Sequence, residues 1–251
     1  MRIRQCIFML ALCLAGICAE AQQLPNMGFD QWSKKNGCWN PYPEGSKSFT
    51  WDTANHGLSI FGINGASPEY EHVAVPGPGK AAVKVETKQT LGILVAGTIY
   101  TGKFLKIVKM SGAKIQMGVP FTGRPKSISG YIHYIPGKID VASKDMKRYI
   151  GTMDNAMIEI SLREGDFEIM DSTDDKFQTE VGANYPGTIG HGVKYFKENT
   201  GGYIRFEIPI DYRNGHTPTN IVISASSSRY AQQFTGSTSS VMYLDELHLN
   251  Y

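Results

Sequence analysis

The chain has 251 residues, 41% apolar and 19% charged, with 25 Lys and Arg against 23 Asp and Glu. That balance, with no basic run, argues against nucleic acid as a partner. Twenty-seven glycines, 13 tyrosines and no obvious amphipathic stretch of helical length point to a turn-rich, all-β protein.

The first segment is an address rather than a fold. Arg2 and Arg4 precede an apolar run from Ile7 to Ile17, and Ala19-Glu20-Ala21 is a small-residue cleavage site. This reads as a secretory signal peptide over residues 1–21, too short to span a bilayer. A lipoprotein signal is disfavoured because Leu12 and Ile17, not small residues, precede Cys13 and Cys18. Cleavage removes three of the four cysteines and leaves Cys38 alone, so no intrachain disulfide is expected and a buried thiol is the simplest reading. The product is expected to be exported, in the periplasm or at the cell surface.

Residues 22–251 then read as one domain, without repeats, linkers or a break in composition. Early strand candidates are 81–87, 92–98 and 103–109. Next comes GVPFTGRPKSISGYIHYIPG at 118–137, in which Ile128, Gly130, Ile132 and Tyr134 share one face and Ser127, Ser129, Tyr131 and His133 the other. Ala156, Ile158, Ile160 and Leu162 alternate with polar residues in the following strand. Further strands fall at 203–212, around Ile221 and Ile223, and at 241–249. Segments 76–80, 136–140, 182–192 and 213–218 read as turns or loops. Pro209 marks its strand as an edge or a bulge. Strand number and length fit two antiparallel sheets packed as a jelly-roll sandwich.

Several segments carry a resemblance. NMGFDQW at 26–32, WDTAN at 51–55, AGTIYTGKF at 96–104, GVPFTGRP at 118–125 and GYIHYIPG at 130–137 come in that order. DNAMIEISL from Asp154, SASSS near Ser224 and FTGSTSSVMYLDEL at 234–247 complete the series. Together they resemble the putative carbohydrate metabolism domain family, exported proteins of glycan-using Gram-negative bacteria. One departure is Ser239-Ser240, where Gly-Ser is more usual. The resemblance implies a jelly roll similar to carbohydrate-binding modules, loosely linked to glycoside hydrolases, and no particular reaction.

Sugars stack their apolar C–H faces on aromatic rings and need fixed polar partners for their hydroxyls. Trp32 reads as core, whereas Trp39 and Trp51 stand open between core and ligand. Asp52 and Asn55 beside Trp51 either assist a ligand or close a turn. Arg124, extended by Pro125, either forks onto a sugar or ties a loop. Tyr131 and His133 share a face that is either ligand-bearing or merely solvated.

Asp245 has the parity of Val241, Tyr243, Leu247 and Leu249, so an unbulged strand would point its carboxylate to the apolar side, where it needs a partner or a metal; a bulge, or hydrogen bonds to loop amides, is the competing reading. The resemblance to carbohydrate-binding sandwiches suggests a structural calcium between first and last strands, with Asp30 and Asp245 as ligands. Hydrolysis would need two carboxylates across the scissile bond, and Glu159 and Glu207 are the nominal pair. Asp171 to Asp175 lacks the glycine and closing glutamate of an EF-hand and reads as a solvated loop. The primary expectation is an exported glycan-binding protein for polysaccharide or oligosaccharide, alongside outer-membrane glycan-uptake proteins. A glycoside hydrolase or lyase, and a structural or adhesin component of an outer-membrane assembly, are the alternatives.

Overall fold

The computed structural model describes residues 21–46, 49–58, 61–90, 93–95, 97–108, 112–171, 183 and 185–251. The signal-peptide segment up to residue 20, and residues 172–175 of the acidic loop, lie outside the described residues.

In chain order the strands are β1 (Ser33–Lys35), β2 (Cys38–Asn40), β3 (Trp51–Thr53), β4 (Ala66–Glu69), β5 (Ala82–Glu86), β6 (Lys88–Thr90), β7 (Ile93–Val95), β8 (Thr98–Val108) and β9 (Gly112–Met117). They continue with β10 (Val119–Pro120), β11 (Ser127–Ile135), β12 (Ala156–Arg163), β13 (Glu168–Asp171), β14 (Thr188–Phe196), β15 (Ile204–Pro209), β16 (Asp211–Tyr212), β17 (Asn220–Ser226) and β18 (Val241–Asn250). A single helical turn, α1 (Asn55–Leu58), follows β3.

Two sheets form the sandwich. The five-stranded sheet runs β15-β11-β18-β5-β4, and the nine-stranded sheet runs β13-β9-β8-β17-β12-β14-β16, with β3 on β8 and β10 on β17. Neighbouring strands are antiparallel throughout the jelly roll, as the half-apolar alternation requires. Ile128, Ile132 and Tyr134 of β11 and Met242, Leu244, Leu247 and Leu249 of β18 face Ile158, Ile160 and Leu162 of β12 and Ile221 and Ile223 of β17. Each such side chain contributes about 1.5–3 kcal/mol on burial. Gly130 belongs to this face as a glycine, since a Cβ there would lie 2.7 Å from Leu247 Cδ2. Pro209 ends β15, which is an edge strand.

Trp51 is part of the core. It is 1% exposed, its ring meets Phe29 edge-on at 5.1 Å, and its Nε1 donates to Pro25 O at 2.9 Å. Cys38 is buried, and desolvation followed by the charge of Asp52 pushes its thiol up to about 11, which makes it inert at neutral pH.

Asp245 follows the bulge alternative rather than strict parity. The β11–β18 register shifts between Ser129 and Tyr131, and Glu246 takes a φ of 46°. Val241, Tyr243 and Asp245 therefore face outward, and Leu247 and Leu249 return to the core. Asp245 is still covered: Ala74 N and Glu246 N both donate to its carboxylate at 2.8 Å.

Burial raises the Asp245 pKa from 3.8 to about 6, against those two N–H bonds and with the charges of Glu246 and Asp30 adding to the rise. The folded state thus holds this proton more tightly than the unfolded chain. Its stabilising contribution is complete below about pH 4 and is lost as pH rises to about 6. Asp245→Asn is expected to remove a decline on the order of 2 kcal/mol from the stability profile across that window. Urea unfolding of both proteins from pH 4 to pH 7 measures the difference; parallel profiles contradict it.

Candidate functional site

The outward face of the nine-stranded sheet is where uncommitted chemistry collects. The residues alternating with the core positions of β12 are Met157, Glu159, Ser161 and Arg163. Register sets Glu159 opposite Val193 and Ser224, Ser161 opposite His191 and Val222, and Arg163 opposite Asn220. Tyr195 of β14 stands beside Met157 on the same face, and Tyr100 of β8 beside Ser224. At about 3.4 Å per residue, the row from Met157 to Arg163 is roughly 20 Å long.

One side of this face is walled. Tyr100 and Val222 pack with Met117 of β9, and with Ile115 and Met170, so the β9–β13 ribbon leans over the sheet. A bulge in β8 and Gly102 at φ 143° allow that bend; a Cβ at Gly102 would sit 2.2 Å from Gln116 O. The opposite side is open, and Tyr195 is 37% exposed there.

Within the face, His191 Nε2 and Glu159 Oε1 are 2.8 Å apart. Arg163 donates through Nη1 to Glu168, and its guanidinium lies 4.5 Å from the centre of the Tyr185 ring. Ser161 Oγ, Arg163 Nε and Asn220 Oδ1 are buried and have no hydrogen-bond partner among the described residues. Buried polar groups are nearly always satisfied, so three such atoms on neighbouring positions mark a place for buried water.

The residues singled out from sequence do not gather here, apart from Glu159. Asn55 is fully buried and structural: its side chain donates to Trp39 O and Ala66 O and accepts from Gly65 N and Ala66 N. Asp52 is buried, accepts from Phe104 N and Thr53 N, and has its carboxyl raised by burial. Trp51, in the core, offers no ring to a sugar. Trp39 is half-buried beneath Lys34, whose Nζ lies 4.8 Å from the ring centre. Arg124 ties a loop, donating to Asn214 O and His216 O and stacking on Tyr212 at 4.1 Å.

Tyr131 and His133 lie on the outer face of the other sheet, as the alternation predicts. His133 is enclosed there: His72 Nε2 is 2.6 Å from its Nδ1, and Tyr203 and Tyr243 pack around both rings. Burial and the neighbouring His72 lower its pKa. Glu207, on β15, is exposed on that same outer face and accepts from Ser127 Oγ. Glu159 and Glu207 thus point away from each other across a sandwich whose sheets pack about 10 Å apart, so they do not form a catalytic pair.

The proposed calcium ligands have other partners. Lys80 Nζ lies 3.0 Å from Asp30 Oδ2 and 2.6 Å from Glu246 Oε1, and Ala81 N donates to Asp30 Oδ1. An ammonium therefore occupies the position between Asp30 and Glu246, and Asp245 serves peptide N–H groups. This donor set does not fit a calcium site. Among the described residues no group of three or more His, Cys, Asp or Glu is arranged to hold a metal ion.

His191 and Tyr195 were hidden by glycine. THE segment 182–192 reads as a loop, yet Thr188–Phe196 is a strand. Gly190 and Gly192 are required by close approach: a Cβ would lie 2.9 Å from the Tyr212 ring in one case and 2.3 Å from Pro209 O in the other. The usable signal was the alternation His191, Val193, Tyr195 beyond those glycines.

The sequence profile of the putative carbohydrate metabolism domain family matches residues 28–250. The chain belongs to that family. Among solved structures, it is similar to a "putative glycoside hydrolase" from Bacteroides thetaiotaomicron at TM-score 0.65 and 17% identity, over 90% of this chain and 70% of the other. A second, from Bacteroides vulgatus and described in the same words, aligns at TM-score 0.61 and 17% identity, over 88% of this chain and 94% of the other. At that identity the likeness establishes the shared fold. No curated protein matches the chain. Membership of the putative carbohydrate metabolism domain family makes this a carbohydrate-related β-sandwich, and no described helix is long and apolar enough to cross a membrane.

Proposed function

We propose that the protein is an exported glycan-binding protein that holds an oligosaccharide or polysaccharide along the outward face of its nine-stranded sheet. The observation that carries this is the coincidence, on one face, of exposed Tyr195 and the His191–Glu159 pair. An aromatic ring beside fixed donors and acceptors is the combination a pyranose requires. The accessible part of the row is its Met157 end, beside Tyr195; toward Ser161 and Arg163 the face is covered. Membership of a carbohydrate-related family supports the ligand class, and the amino-terminal sequence supports export.

The state of the carboxylates supports binding without turnover. Glu159 is buried against His191, and Glu168, farther along the same face, is committed to Arg163. Neither stands as a free acid facing a free base or nucleophile. Affinity electrophoresis against a broad panel of plant and microbial polysaccharides tests the reading. Retardation by at least one glycan is expected, with no reducing sugar released. Tyr195→Ala should weaken the binding about tenfold, in line with the loss of one aromatic contact. Release of reducing sugar that Glu159→Gln abolishes is the result that overturns it in favour of hydrolysis.

A further inference from the structure

The open end of the same face carries a feature that the general glycan reading leaves unused. Arg229 lies with its guanidinium 4.3 Å from the centre of the Tyr195 ring and 5.2 Å from that of Tyr230. Tyr230 packs on Tyr149 at 4.7 Å, with the rings tilted by 33°. Arg148 then covers Tyr149 at 4.9 Å and donates through Nη2 to its hydroxyl at 3.4 Å. The result is one continuous stack, Arg148–Tyr149–Tyr230–Arg229–Tyr195, ending in the exposed ring of the proposed sugar face.

The electrostatics of this stack are unbalanced. Arg163, on the same face, is neutralised by Glu168. Arg205 is near Glu207, and Arg124 is satisfied by loop carbonyls. Arg148 and Arg229 have no carboxylate within ion-pair distance among the described residues. The short 3-10 helix that presents Arg148 (Lys144–Tyr149) adds Lys144 and Lys147 and contains one acid, Asp145.

A guanidinium held over a ring keeps N–H groups to spare: Arg148 commits Nη2 to the Tyr149 hydroxyl, and the remaining donors of such a planar group match the oxygens of a carboxylate or sulfate. The rings also hold the guanidinium in place, which lowers the entropy lost on binding. The supporting backbone is fixed: Arg229 N donates to Asn155 O at 2.6 Å, and buried Asp154 gathers Ser228, Ser237 and Ser240 of the same loop.

Resting on the glycan-binding reading above, we infer that Arg148 and Arg229 select an acidic saccharide, presenting their remaining N–H groups to a uronate carboxylate or a sulfate ester of a sugar that stacks on Tyr195. A neutral sugar satisfies the tyrosine but leaves both cations unpaired.

The test compares ligands that differ only in charge. Calorimetric titrations of the full chain use an oligogalacturonate and its methyl ester, and a sulfated galactan oligomer and its desulfated form. In at least one pair the acidic member is expected to bind about tenfold tighter, as charge-assisted hydrogen bonds imply. The pair that discriminates identifies carboxylate or sulfate. The preference should collapse between about 50 and 500 mM NaCl, as an exposed ionic contact must. It should also disappear in the Arg148→Gln, Arg229→Gln double variant. Salt dependence keeps the test decisive if that variant fails to fold. Equal binding within both pairs, or a preference that survives high salt, overturns the inference and leaves the glycan reading standing. Failure of every saccharide, neutral or acidic, overturns both.

Discussion

Asp154→Ala is expected to lower the free energy of unfolding by about 3–5 kcal/mol, one of the two largest effects of any single substitution considered for this protein. The carboxylate is fully buried and accepts from Ser228 Oγ, Ser240 Oγ, Ser237 N and Asn155 N. Burial raises its pKa, and these donors offset only part of the rise. Truncation strands several donors at once in a dry environment, and each stranded donor costs about 1–3 kcal/mol. Asp154→Asn keeps an acceptor and should cost less than half as much. Urea denaturation of the three proteins reads the order directly. Equal stability of Asp154→Ala and the parent contradicts the role given to this carboxylate. The same loop carries Arg229 and Tyr230, so Asp154→Ala should also weaken the preference for acidic sugars in the fraction that remains folded.

Trp51→Ala is the second large effect, about 3–5 kcal/mol, from the loss of a fully buried ring and the cavity it leaves. Its distinguishing feature is what does not change. Because the indole packs on Phe29 and bonds Pro25 O inside the sandwich, sugar affinity of the folded fraction should equal that of the parent. A variant that melts like the parent yet loses affinity places Trp51 in a binding site and contradicts the core assignment.

Much of the sandwich was legible from alternation. Ile128, Ile132 and Tyr134 point inward and Tyr131 and His133 outward, as a period of two dictates. The strands at 156–163 and 241–250 follow the same logic until the latter bulges. That bulge sent Asp245 outward against its parity, because a bulge shifts every later residue by one and leaves no trace in hydropathy.

The site was less legible, for two physical reasons. Glu159, Ser161 and Arg163 read as a solvated polar face, but they are buried, and burial of an outer face depends on which distant ribbon leans over it. The strand with His191 and Tyr195 was masked by Gly190 and Gly192, whose composition signals a turn while their packing demands a strand. Trp51, Asp52 and Asn55 illustrate the converse: a ring beside short polar side chains looks like a sugar site in sequence, and here it builds a corner. The Asn55 amide joins the chain near Trp39 to that near Ala66.

The central claim is that saccharide lies on the outward face of the nine-stranded sheet. A crystal structure of the protein with a bound oligosaccharide from the positive glycan panel tests it most directly. The predicted result is a sugar ring stacked on Tyr195, with hydroxyls reaching the His191–Glu159 pair. A sugar seated instead on the outer face of the five-stranded sheet, against Tyr131 and His133, contradicts the account.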